Sequence, residues 1–212
     1  MRFDAVAARL VTLPDPLPPP ADALMAVVLE GGPARAVRRT LPAAGTARDA
    51  AVLVLLYPDA DGDGRVVLIE RTDGGGHHSG EISLPGGKAE PLDADPVATA
   101  LREAAEEIGL DPTNGVTVVG RLDALWIPVS DFRVTPVVAL AVSRPRFTRQ
   151  AAEVAQILEP RVDVFLPTNE LEIIERTVGG WPLRYGHYQV EGLSVWGATA
   201  RILSQLGAVL AS

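Results

Sequence analysis

The sequence contains no cysteine. A disulfide framework, a thiol nucleophile, a Cys-ligated zinc and an iron–sulfur cluster are therefore excluded together, and any metal must sit on oxygen or His. Long apolar runs are also missing. The longest, Ala50–Tyr57, has eight residues, far below the ~20 needed to cross a bilayer. Positive charge is the minority: 19 Lys and Arg stand against 27 Asp and Glu, for a formal charge of −8. Such a surface offers no broad footprint for nucleic acid, so an anionic ligand needs a local device such as a bound cation. Met1–Leu13 lacks the long apolar stretch and small-residue cleavage site of a signal peptide. It reads as a short amphipathic helix of a soluble, cytoplasmic protein with neither nucleic acid nor membrane as partner.

The chain has 212 residues, 47% of them hydrophobic and 22% charged, a length and balance that suit one large globular domain with an appendage. Residues 14–20, PDPLPPP, exclude a helix interior or central strand, since each Pro lacks an N–H and restricts its neighbour. They predict a stiff linker, and the division expected is an N-terminal helix, linker and extension over 1–47 followed by the main domain over 48–212. Strand-like patterns fall at Ala50–Tyr57, Arg65–Arg71, 81–84, 116–122, 133–142 and 161–166, with helical patterns at 96–108 and 194–210. Interleaved strands and helices without a regular βαβ rhythm predict an α/β domain on a mixed sheet.

One helix carries the chemistry. Asp95 and Pro96 form a helix start and Gly109 a stop. Between them Val97, Ala100, Leu101, Ala104, Ala105 and Ile108 make a stripe that packs on a sheet. Glu103, Glu106 and Glu107 fall together on another face. Taken alone, they fit either a solvated acidic face or a cage for a hard cation such as Mg²⁺, which takes carboxylate oxygens and bridges to phosphates. Just upstream, Gly86 and Gly87 in Leu84-Pro85-Gly86-Gly87 allow close approach of backbone to a ligand.

A second acidic motif competes. Asp59-Ala60-Asp61-Gly62-Asp63-Gly64 with Glu70 satisfies a calcium-loop pattern. Its flanks are β-rich and Pro58 blocks a helix, whereas an EF-hand needs helices on both sides. A polar hairpin turn is expected.

The string Gly87, Asp93 and Arg102-Glu103-Ala104-Ala105-Glu106-Glu107-Ile108-Gly109-Leu110 closely resembles the Nudix box. Its second half is complete. In the first half Asp93 stands for the usual Glu, with one extra residue before Arg102, a spacing similar to the coenzyme A pyrophosphatase branch. Arg71 with His78-Ser79-Gly80-Glu81-Ile82-Ser83-Leu84-Pro85-Gly86-Gly87 resembles that branch's upstream signature, although Gly75-Gly76 replace a Leu-Arg pair and Leu84 a Phe.

The resemblance implies a Nudix-type α/β/α sandwich with a mixed β-sheet. It also implies Mg²⁺- or Mn²⁺-dependent hydrolysis of a diphosphate bond in a small nucleotide substrate, with coenzyme A or an acyl-coenzyme A foremost. Alternatives are an ADP-ribose-like nucleotide, an oxidised nucleoside triphosphate, or a nucleotide-binding module without turnover. Glu103, Glu106 and Glu107 become metal ligands, and Glu103, Glu106 and Glu153 candidates for the base. Arg71, His78, Gly86 and Gly87 become substrate contacts, with His77 beside them. Arg102 orients the carboxylates by reaching Glu106. The assembly implied is a homodimer.

Overall fold

The computed structural model describes residues 1–29, 35–36, 47–72, 80–127, 130–178 and 181–212. In chain order the elements are α1 (Phe3–Leu10), β1 (Val27–Val28), β2 (Arg35–Ala36), β3 (Arg48–Pro58), β4 (Gly64–Val66), β5 (Leu68–Arg71), β6 (Ile82–Ser83), β7 (Gly86–Lys88) and α2 (Pro96–Ile108). They continue as β8 (Val116–Arg121), β9 (Leu125–Ile127), β10 (Phe132–Ala141), β11 (Val154–Leu158), β12 (Glu172–Val178), β13 (Trp181–Val190), β14 (Leu193–Val195) and α3 (Gly197–Ala211).

The central sheet runs β4-β3-β10-β8, with β7 added to β3 and β9 to β10. It is mixed: β3 and β10 are parallel from Arg48↔Phe132 to Leu56↔Leu140, while β4, β7, β8 and β9 join antiparallel. The apolar run of β3 is continuous because both faces are covered. Ala51, Leu53, Leu55 and Tyr57 pack with Ala100, Ala104 and Ile108 of α2. Ala50, Val54 and Leu56 pack on the other side with Leu203, Leu206 and Leu210 of α3 and Val6 and Leu10 of α1. Helices thus flank the sheet on both faces, the α/β/α sandwich expected.

Several boundaries differ from the sequence reading. The strand expected over Arg65–Arg71 changes sheets: β4 pairs with β3, whereas β5 pairs with β11 and β6. Residues 161–166 form no strand; Val162–Phe165 is a 3-10 turn. Val162 and Phe165, three apart, both reach the core, the spacing of one such turn. The last helix begins at Gly197, after β14. Half-buried Trp196 precedes it and stacks on Tyr185 at 5.0 Å, the packing role expected of it. The β12–β13–β14 meander went unread. In the proline segment, Leu17 packs on the core and the carbonyl of Pro18 accepts from Gln205 of α3 at 3.1 Å.

Candidate active site

The site helix starts and stops as its sequence dictates. The Asp95 side chain accepts from the Ala98 amide, Pro96 takes the first position, and Gly109 closes it with φ 64. Two amides from the segment after β10 then serve the last carbonyls: Thr148 donates to Ile108 and Gln150 to Glu107, both at 2.8 Å. Those bonds lay residues 148–153 against the end of α2 and bring exposed Glu153 to it. Ala105, expected on the buried stripe, is exposed.

The three glutamates do not share one environment. Their side chains are 1%, 16% and 58% exposed for Glu107, Glu103 and Glu106, a gradient that follows their angle from the apolar stripe. Glu107 lies under the site, accepting from the Gly86 amide at 2.8 Å and from Arg71 Nη1 at 3.2 Å. Its pKa is pushed up to about 7, foremost by burial. Gly86 and Arg71 oppose that shift, whereas Glu103 and Glu153 add to it. Burial likewise pushes Glu103 up, against the pull of Arg102 and with help from Glu106 and Glu153.

Arg102 is the organiser. It reaches Glu106 at 3.2 Å, the i,i+4 contact expected, and Glu103 at 3.1 Å. It also grips both oxygens of Asp93 at 3.1 and 3.0 Å, and donates to the Lys88 carbonyl at 3.0 Å. Asp93 additionally accepts from Thr99 and from the Glu90 amide. The guanidinium holds its carboxyl well below the usual range. The shorter Asp and the extra residue before Arg102 therefore still close the clamp.

The glycines are required by space. A Cβ on Gly86, whose φ is 154, would stand 2.4 Å from the Ala51 carbonyl oxygen; one on Gly87 would stand 2.4 Å from a Glu103 oxygen. The β5–β6 register sets Ile69 opposite Ser83, and the Arg71 amide donates to the Glu81 carbonyl at 3.0 Å. Glu81 and Ser83 thus lie on the strand face that bears Arg71. The Ser83 hydroxyl is buried without a hydrogen-bond partner. The sequence reading passed over it, although Glu81-Ile82-Ser83 carries the alternation that places it there.

The structure therefore brings together Arg71, Gly86, Gly87, Glu103, Glu107 and Glu153, and turns Glu106 outward on Arg102. His77, His78 and Gly75-Gly76 lie outside the described residues. Among the described residues no group of three or more Asp, Glu or His side chains stands arranged to hold a metal ion; Glu103 and Glu106 face Arg102, and Glu107 faces Arg71. The calcium-like motif is a hairpin turn between β3 and β4. Asp59 accepts from the Asp61 and Asp63 amides and pairs with Arg65 at 2.8 Å, and Asp63 pairs with Arg161.

An acidic helix clamped by one arginine beneath a glycine-rich strand, on a mixed sheet covered by helices, defines a class. Residues 47–177, more than half of the chain, match the NUDIX domain model. The chain is 40% identical over 169 residues to Nudix hydrolase 22, chloroplastic, of Arabidopsis thaliana, covering 77% of this chain and 55% of that protein. It is 38% identical over 163 residues to "Uncharacterized Nudix hydrolase NudL" of Pectobacterium atrosepticum, covering 75% and 81%. Among solved structures, the M. smegmatis Nudix hydrolase RenU is similar at 26% identity and a TM-score of 0.47, over 55% of this chain and 72% of that one.

The chain belongs to the Nudix family. It spans a little over half the length of the Arabidopsis relative. Nudix hydrolases cleave phosphoric anhydride bonds of small nucleotide derivatives and generally use divalent metal ions. Among the described residues no helix is long and apolar enough to cross a membrane.

Proposed function

We propose that this protein is a Mg²⁺- or Mn²⁺-dependent diphosphatase acting on coenzyme A or an acyl-coenzyme A, which it cuts to 3′,5′-ADP and the (acyl-)phosphopantetheine. The observation that carries the reading is Glu107, a carboxylate buried at the floor of the site with Glu103 and Glu153 adding charge of the same sign. Arg71 and the Gly86 amide offset the cost of burying it only in part, and a divalent cation would answer the rest. The donors suit a hard divalent ion, since they are carboxylate oxygens, and the absent Cβ of Gly87 leaves room at Glu103. Glu103 and Glu107 would hold the ion, with Glu106 beside them on the same helix as a third carboxylate. When bound, the ion neutralises phosphate charge and makes water a nucleophile near neutral pH.

This chain's own groups do the rest. Arg102, fixed by Asp93, orients Glu103. Arg71, half-exposed beside Glu107, donates to a substrate phosphate oxygen, a charge-assisted contact. Glu153 or Glu103 takes the proton of the attacking water. Water adds to one phosphorus, the bridging P–O bond breaks, and the departing phosphate carries the electron pair. Coenzyme A is favoured over other nucleotides by the sequence around Glu81–Gly87 and by the longer Asp93–Arg102 spacing. The site sits in a cytoplasmic enzyme on this reading.

The test is a panel of coenzyme A, an acyl-coenzyme A, ADP-ribose and an oxidised nucleoside triphosphate with Mg²⁺ or Mn²⁺, both products identified by mass spectrometry. Metal-dependent release of 3′,5′-ADP from coenzyme A is expected. Faster cleavage of ADP-ribose or the triphosphate would overturn the substrate, and no cleavage of any would overturn the activity.

A further inference from the structure

The β12–β13–β14 meander has two unlike faces. Tyr188 and Val190 of β13 and Val195 of β14 enter the core with α3, so Tyr185 and His187, which alternate with them, line the opposite face. Trp196, stacked on Tyr185, lies there too. The register of β12 adds Ile174 and Arg176, since Ile174 stands opposite Tyr185 and Arg176 opposite Leu183.

This second face turns toward the reaction site. β14 packs against β6, the strand that carries Ser83 on the side of Arg71. The Tyr185 hydroxyl is lifted above its ordinary range foremost by burial, with Arg176 opposing the shift and Glu81 adding to it. The tyrosine thus stands between the acid that precedes β6 and the arginine of β12. Glu81 is two residues from Ser83, about 7 Å along an extended chain, so the face begins within a nucleotide's span of the groups around Glu107.

Two features suit this face to a ligand. The Trp196 and Tyr185 rings stack with centroids 5.0 Å apart and planes at 27°, yet Trp196 is only half-buried. Beside it, a Cβ on Gly197 would meet nothing within 4 Å, which leaves open space next to the indole. Arg176 is exposed, and its neighbour Glu175 pairs with Arg184 instead. In a chain of net charge −8, a guanidinium beside an aromatic stack is a local device for a ligand that carries both a flat ring and a phosphate.

We infer that the Trp196 indole stacks on the adenine of coenzyme A and that Arg176 pairs with its 3′-phosphate, which makes this face the subsite for the 3′,5′-ADP half of the substrate. The inference rests on the coenzyme A reading above and assigns the residue that separates coenzyme A from nucleotides without a 3′-phosphate.

Titration calorimetry of the full chain with 3′,5′-ADP and 5′-AMP tests the subsite apart from turnover. The 3′,5′-ADP should bind about tenfold or more tighter, the scale of a charge-assisted contact, and Arg176→Gln should remove most of that preference. Trp196→Ala should weaken both ligands about tenfold, while Trp196→Phe, which keeps a ring against Tyr185, should stay within a few-fold of wild type. In steady-state kinetics Arg176→Gln should raise KM for coenzyme A at least about fivefold more than for 3′-dephospho-coenzyme A, an effect on KM rather than on kcat. Equal affinity for the two nucleotides, a preference that survives Arg176→Gln, or full affinity in a folded Trp196→Ala would overturn the subsite; the Arg176 arm decides alone if Trp196→Ala does not fold. Cleavage of coenzyme A without these preferences would overturn the subsite and leave the activity standing, and these preferences without cleavage would do the reverse.

Discussion

Two acidic clusters lie in this chain, and they differ in what answers their charge. In the turn between β3 and β4, backbone amides and Arg65 satisfy Asp59, and Arg161 pairs with Asp63. The Asp59 carboxyl is held below its ordinary range, first by its Asp63 amide bond. On α2 the opposite holds: Glu107 and Glu103 are pushed up, foremost by burial. Both clusters match ion-binding patterns in sequence. Only the second keeps carboxylates whose burial the protein's own donors offset in part and no further: Arg71 and the Gly86 amide bond Glu107, and Arg102 bonds Glu103, yet both stay pushed up.

The largest effect that can separate the two is on turnover. Glu107→Gln should lower kcat for diphosphate hydrolysis by at least about two orders of magnitude, the scale of one strong electrostatic contributor, measured by steady-state release of 3′,5′-ADP. Asp61→Asn should leave it unchanged.

Next in size is the backbone beneath Glu107. Gly86→Ala forces a Cβ into the Ala51 carbonyl at an unfavourable φ and should cost about 2 kcal/mol or more in stability, read from denaturant unfolding. Gly87→Ala meets instead the movable end of Glu103. It should leave the fold near wild type while weakening the divalent-ion dependence of turnover about tenfold.

A comparable effect is expected in pH. The folded pKa of Glu107 is about 7, above its ordinary value, so the folded state holds the proton more tightly. The associated stability is complete below pH ~4.5 and is lost as pH rises toward 7, by up to about 3 kcal/mol. In EDTA, Glu107→Gln should therefore flatten the fall in Tm between pH 5 and pH 8. An unchanged slope would place the titrating group elsewhere. Asp93 has the reverse sign. Its folded pKa is depressed, so its contribution is present above pH ~4 and is lost as pH falls further. Asp93→Asn should lower Tm by a few degrees at pH 7 and by less near pH 3.

The site helix was legible because its signals are local: Asp95, Pro96, Gly109 and the stripe from Val97 to Ile108 depend on neighbours in sequence. Its position on the sheet followed from the same stripe. The depth of Glu107 was not read, although it lies between Glu103 and the stripe on the helix, while Ala105 at the far margin is exposed. The Gly86 bond to Glu107 was beyond sequence reasoning, since it depends on an unusual φ and on β7 pairing with β3. Asp93 reads in sequence only as a departure from the usual Glu, yet four hydrogen bonds converge on it from Arg102, Thr99 and Glu90. The β12–β13 hairpin is obscured because Glu172, Glu175, Arg176 and Arg184 dilute its apolar alternation, and residues 161–166 resemble a strand because Val162, Val164 and Leu166 alternate, whereas Val162 and Phe165 take the three-residue spacing of a turn.

The most direct measurement compares divalent-ion binding by the two clusters. Mn²⁺ titrations followed by electron paramagnetic resonance, on wild type, Glu107→Gln and Asp61→Asn, should give tight binding that Glu107→Gln weakens at least about tenfold and Asp61→Asn leaves intact. Tight binding that survives Glu107→Gln and disappears with Asp61→Asn would contradict the assignment of the α2 carboxylates and move the ion to the β3–β4 turn.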